Sequence, residues 1–201
     1  TIDSMTAGTL TVSAGSDNPK ASQVAVSSST TTGVKLLTFS LKGKNSEITV
    51  EDLVASFGTN DSLSDVISSV KLMKGTTVLK SKTVSGTGTY ALVTFDNVDT
   101  TIDQDSTDTY KVVATIKKFS GTFDAGDTLV ASTTGSNSAW DVSDANGDSV
   151  TPSSSVTGGT ITFTGSAISA SLSGTPTATK TVATIAGEAD KMDGSISFKV
   201  T

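Results

Sequence analysis

Asp141, Asp144, Asn146 and Asp148 fall within eight residues, inside the run WDVSDANGDSV (Trp140–Val150). Hard oxygen donors this close together on a turn are the kind of set that holds Ca²⁺. The order departs from an EF-hand loop, because Gly147 precedes the last acid and no Glu stands at the twelfth position. Asp, Asn and Gly also favour turns for backbone reasons alone, so a solvated hairpin explains the run without an ion. A second acidic run holds Asp96, Asp99, Asp103, Asp105 and Asp108 between two candidate strands. Asp103 and Asp105 are its candidate calcium ligands, and a solubilising loop is the alternative. No cofactor other than calcium is expected.

Paired carboxylates can hydrolyse glycosides, but each acid here lies in a Gly/Ser/Thr-rich turn with few aromatic neighbours to form a sugar platform. Among 201 residues there is no His, no Cys and no Arg, and the 14 basic residues are all Lys. Without His there is no Ser-His-Asp triad and no common transition-metal ligand. Without Cys there are no disulfides or thiolate sites. Without Arg the bidentate clamp for phosphate is missing. The net charge of −6 and the 5% aromatic content argue against a nucleic-acid partner, which needs a basic surface. The reading is therefore not an enzyme.

The elements that must position these residues are strands. Mean hydropathy is +0.02 and 35% of residues are hydrophobic, enough to build a core. No apolar run approaches the roughly 18 residues that cross a bilayer, so membrane insertion is not expected. Thr and Val, both β-branched, are abundant and favour pleated strands. Alternation is clearest at Tyr110, Val112, Ala114 and Ile116, with Leu37, Phe39 and Leu41 forming another inward face. The pattern predicts strands near 9–13, 22–28, 34–42, 46–56, 66–74, 76–83, 88–95, 108–117, 127–133, 138–143, 149–151 and 158–164. Three more follow near 167–173, 180–186 and 194–201. Asn146-Gly147 is the strongest hairpin signal, read as a tight turn with positive φ at both residues. Short strands with turns every 8–12 residues predict an all-β antiparallel sandwich.

The opening of the chain recurs at its end. Gly8 to Lys42 can be laid over Ser166 to Val200: an alternating strand, a proline (Pro19, Pro176), a second strand (Val24, Val182) and a closing strand with Phe (Phe39, Phe198). This divides the chain into a sandwich domain over 1–165 and, over 166–201, a partial repeat of its first three strands. Three strands without a second layer are marginal in water. Either the chain continues past Thr201, or these strands fold back onto the first domain, or they complete a sandwich in a neighbouring molecule by strand addition. Ile168, Ala170, Leu172, Val182, Ile196, Phe198 and Val200 are the apolar residues that would make that contact. The first residue is Thr1 rather than Met, as in a processed chain or one cut short.

ITVEDLVASFG (Ile48–Gly58), VKLMKGTTVL (Val70–Leu79), TYKVVATIK (Thr109–Lys117), AGDTLVAS (Ala125–Ser132), WDVSDANGDSV and the closing ISFKVT (Ile196–Thr201) carry a resemblance. The chain resembles the repeated β-sandwich domains of bacterial surface-layer and large secreted cell-surface or filament proteins. The resemblance implies an Ig-like or cohesin-like fold, export to the cell surface, and a structural or adhesive role. It carries no catalytic residue across. The expected function is a non-enzymatic extracellular subunit of a prokaryotic surface layer or filament, a homopolymer joined head to tail through its terminal strands. The alternative is an adhesin or a carbohydrate- or calcium-binding module, which would place an exposed aromatic, Trp140, beside Asp141 and Asp144.

Overall fold

Residues that are β-branched or aromatic at every second position bury one face of a pleated ribbon and wet the other, and several strands of this chain obey that rule. The computed structural model describes residues 6–26, 28–133, 139–165, 170–172, 174–182 and 191–200. The chain separates into two units, Thr1–Gly165 and Ser166–Thr201.

In chain order the first unit contains β1 (Thr9–Ala14), β2 (Ser22–Ala25), β3 (Thr31–Lys44), β4 (Ile48–Thr59), a single helical turn α1 (Leu63–Val66), β5 (Ile67–Lys74), β6 (Thr77–Thr83), β7 (Tyr90–Phe95), β8 (Thr100–Ile102), β9 (Thr107–Ile116), β10 (Thr128–Thr133), β11 (Asp141–Asp144) and β12 (Ile161–Thr164). One sheet is antiparallel throughout, in the order β1-β3-β9-β5-β6. The other runs β11-β4-β10-β12-β2, with β7 and β8 also paired to β4. The first half of β4 lies between β8 and β11, and its second half between β7 and β10. Between these halves the alternation Ile48, Val50 restarts one residue late at Leu53, Ala55 and Phe57, beside the register slip at Asp141/Val142. An extra residue of this kind bends a strand and lets it change partners. The β2–β12 pair is parallel.

Side chains from both sheets meet in one core, so the arrangement is sandwich-like. Phe39 of β3 is fully buried in it. Its ring stacks on Tyr110 of β9 at 5.8 Å and meets Trp140 edge-on at 6.5 Å. Phe123 bridges Phe119 and Phe163 at 4.9 and 5.1 Å. The buried phenol of Tyr110 is hydrogen-bonded to Thr100 Oγ1 at 3.0 Å.

Three local expectations are corrected. The acidic run is not all loop, because Thr100 and Ile102 are buried and β8 pairs with β4. Residues 149–151 do not form a strand; the described contact there is one bridge, Ser143 to Ser149. The Asn146-Gly147 turn has positive φ at Gly147 (83°) and not at Asn146. Its backbone closes through Gly147 N–H to Asp144 O and Asp144 N–H to Asp148 O, both 2.9 Å. This is a longer hairpin closed by a glycine bulge, and the Asp144 carboxylate sets it, as described below.

In the second unit β13 (Ala170–Leu172) pairs with β16 (Phe198–Val200), and β14 (Thr177–Thr181) with β15 (Lys191–Ser195), both antiparallel. The single strand expected over 194–201 is thus divided between β15 and β16. The strand expected over 180–186 begins earlier and ends at Thr181, and residues 183–190 lie outside the described ones.

Candidate functional site

Two places gather the residues singled out by type and spacing. The first is one end of the sandwich, where the β3–β4 turn, the 103–106 loop and the β11 hairpin converge. Thr6, Asn45, Ser46, Gln104 and Asn146 line a cavity of about 290 Å³ there. Asn45 holds φ at 69°, and its side-chain amide donates to Ala7 O at 3.4 Å. Ser46 Oγ accepts from Ala145 N–H at 3.2 Å, tying one turn to the other.

Asp144 is the anchor of this end. It is buried, and its carboxylate accepts three backbone N–H groups: Gly8 at 3.1 Å, Asn146 at 2.9 Å and Asp148 at 3.1 Å. The Gly8 N–H is the largest influence holding its pKa below the usual carboxylate value; burial opposes it, and the Asn146 and Asp148 N–H groups add to the lowering. Of the expected calcium ligands, only Asn146 lines the cavity. Asp148 and Asp105 are exposed, Asp105 at φ 59°, and Asp103 caps its own loop through its carbonyl, which accepts Ser106 N–H. Asp141 begins β11 opposite Asp52. Among the described residues no three acidic groups gather as they would around an ion.

Stability should register the Asp144 arrangement. Because its pKa is lowered by folding, the contribution is fully present above the unfolded carboxylate value near pH 4 and is lost as pH falls through the folded value. Asp144→Asn should melt several degrees below the parent at pH 7, and thermal scans at decreasing pH should show the gap closing below about pH 4. A gap that is constant with pH would contradict the assignment.

The other acids are used singly. Asp108 pairs with Lys74 at 2.7 Å, raising the lysine's pKa, and that ammonium sits 5.8 Å from the centre of the Tyr110 ring. Asp96 pairs with Lys82, and Asp52 accepts Asn97 N–H at 2.9 Å. Trp140 belongs to the core, with its Nε1 donating to Val54 O at 3.0 Å, so it is not an exposed ring beside Asp141.

The second place is the terminal unit. Ala170 and Leu172 fall on β13, and Phe198 and Val200 on β16. Ile168 lies outside the described residues. Val182 follows β14 and is 60% exposed, while Ile196, between β15 and β16, is 70% exposed. Met192 on β15, which alternation did not single out, is 76% exposed.

The first unit treats its strand edges differently. The outward carbonyls of β1 are covered: Leu10 O accepts Ser153 N–H at 3.0 Å and Val12 O accepts Ser154 Oγ–H. The opposite edge of that sheet, β6, carries Lys80 and Lys82, charges that discourage pairing with a stray strand. No helix among the described residues is long and apolar enough to cross a membrane. No family model, no curated protein and no solved structure matches the chain, so any role for these two places rests on their own chemistry.

Proposed function

We propose that this protein is a non-enzymatic, exported structural subunit of a prokaryotic surface layer or filament. Its body is an Ig-like sandwich, and residues 166–201 join one molecule to the next by strand pairing, head to tail. The observation that carries this reading is the exposure of Met192 on, and of Val182 and Ile196 beside, ladders only three and five residues long. Two-stranded ladders are marginal in water, and apolar side chains left on them gain roughly 25 cal/mol per Å² when a further strand covers them. A heterologous contact of this kind does not close on itself, and so it extends a fibre or lattice. The Ser and Thr that make up 68 of the 201 residues keep the remaining surface wetted.

Among the described residues, the members of the buried core lie between Leu10 and Phe163, so a chain ending at Gly165 keeps that core whole. The full chain should form polymers visible by electron microscopy and light scattering. The chain ending at Gly165 should remain monomeric with an unchanged melting temperature for the body. Equal polymerisation by both would remove the terminal unit as the connector.

A further inference from the structure

The second unit repeats a specific piece of the first. In the first unit Val12 stands opposite Leu41 and Ala14 opposite Phe39. In the second, Ala170 stands opposite Val200 and Leu172 opposite Phe198. These are the same pairs carried along the chain by nearly one offset, 158 residues from β1 to β13 and 159 from β3 to β16. The offsets agree with the overlay of Gly8–Lys42 on Ser166–Val200, which used residue types alone. The β13–β16 ladder is therefore a second β1–β3 ladder in the same register. The units differ at β14, which pairs with β15, whereas β2 pairs with β12.

The correspondence says which strand lies beside the exposed apolar residue. Ile196 takes the place of Leu37, which is 0% exposed. Leu37 is buried in the core that the two sheets share, and its strand β3 has partners on both edges, β1 beside Phe39–Lys44 and β9 beside Leu37 itself. On the β9 side Leu37 stands opposite Val112 and Phe39 opposite Tyr110. Among the described residues β16 pairs with β13 alone. Its second edge is the one that β9 fills in the first unit.

Resting on the strand-pairing reading above, we propose that the second edge of β16 takes an antiparallel strand of β9 type. That strand is an extended segment with apolar residues at alternate positions, an aromatic opposite Phe198 and a β-branched residue opposite Ile196. Backbone pairing supplies the affinity and the alternate side chains supply the selection. The aromatic opposite Phe198 would repeat the cross-strand pairing of Phe39 with Tyr110.

The probe is a labelled peptide with the sequence of Thr107–Ile116, TDTYKVVATI. Its fluorescence anisotropy is followed against the full chain at concentrations where the chain is monomeric. Saturable binding is expected, weakened at least about tenfold by Ile196→Asp and by scrambling the peptide to destroy its alternation. Ile196 is exposed, so the melting temperature of the body should not move in Ile196→Asp, and a second variant, Phe198→Ser, should weaken binding similarly. No binding by the full chain, or binding indifferent to both variants and to scrambling, overturns the proposal. If polymers depend on residues 166–201 while the peptide does not bind, the partner type fails and the structural role stands. If the peptide binds with these preferences but the chain never polymerises, the edge assignment stands and the head-to-tail role fails.

Discussion

Replacing Gly159 by alanine should destabilise the body by at least about 3 kcal/mol, at the upper end for overpacked sites. A Cβ at this position would lie 2.1 Å from Lys20 C and 2.2 Å from Ala21 N, both backbone atoms. A flexible side chain could swing aside, but main chain cannot. The crossing is also fixed by hydrogen bonds, because Gly159 N–H donates to Pro19 O at 2.7 Å and Ser22 N–H to Thr160 O at 3.1 Å. Displacing either segment breaks the approach that lets β2 lie parallel to β12. The neighbouring Gly158 is similarly confined, its Cβ site 2.0 Å from Leu36 O. Gly165, with nothing within 4 Å of its Cβ site, is the control. Denaturant titration should show Gly159→Ala markedly less stable and Gly165→Ala within about 0.5 kcal/mol of the parent. Equal stability for all three would mean that the crossing is looser than described.

Phe39→Ala should cost about 3–5 kcal/mol, the range for truncating a buried aromatic. Phe39 is fully buried and lies against Tyr110 in its own sheet and against Trp140. Its loss leaves a cavity between strands whose backbone ladders prevent collapse, so the transfer and cavity terms add. The exposed Tyr90 is the comparison, and Tyr90→Ala should stay within about 0.5 kcal/mol of the parent. A small effect at Phe39 would show a core that repacks freely, inconsistent with the two ring contacts.

The strand pattern was legible where one face is buried and the other is wet. β9 reads directly from Tyr110, Val112, Ala114 and Ile116, all buried, alternating with half-exposed Lys111, Val113 and Thr115. β8 was hidden because three residues within an acidic run carry too little alternation to stand out. The part played by Asp144 was not legible. One of its partners, the Gly8 N–H, lies 136 residues away in sequence, and no local pattern announces a contact of that range. Nor does any local pattern announce the cavity at that end, whose lining is amide and hydroxyl side chains from separate turns. The acidic spacing raised calcium at the hairpin, but spacing does not reveal that backbone N–H groups already occupy the Asp144 oxygens. The overlay of the two chain ends was legible from residue types, while the register of β16 on β13 required the pairing itself.

Amide hydrogen exchange across the assembly transition reads most directly where molecules join. As the full chain is concentrated, protection should rise at residues 191–200 while the amides of β3 and β9, already paired on both sides, stay as they were. Protection that leaves 191–200 unchanged, or that rises instead around exposed Tyr90 and Leu92 on β7, would contradict the account.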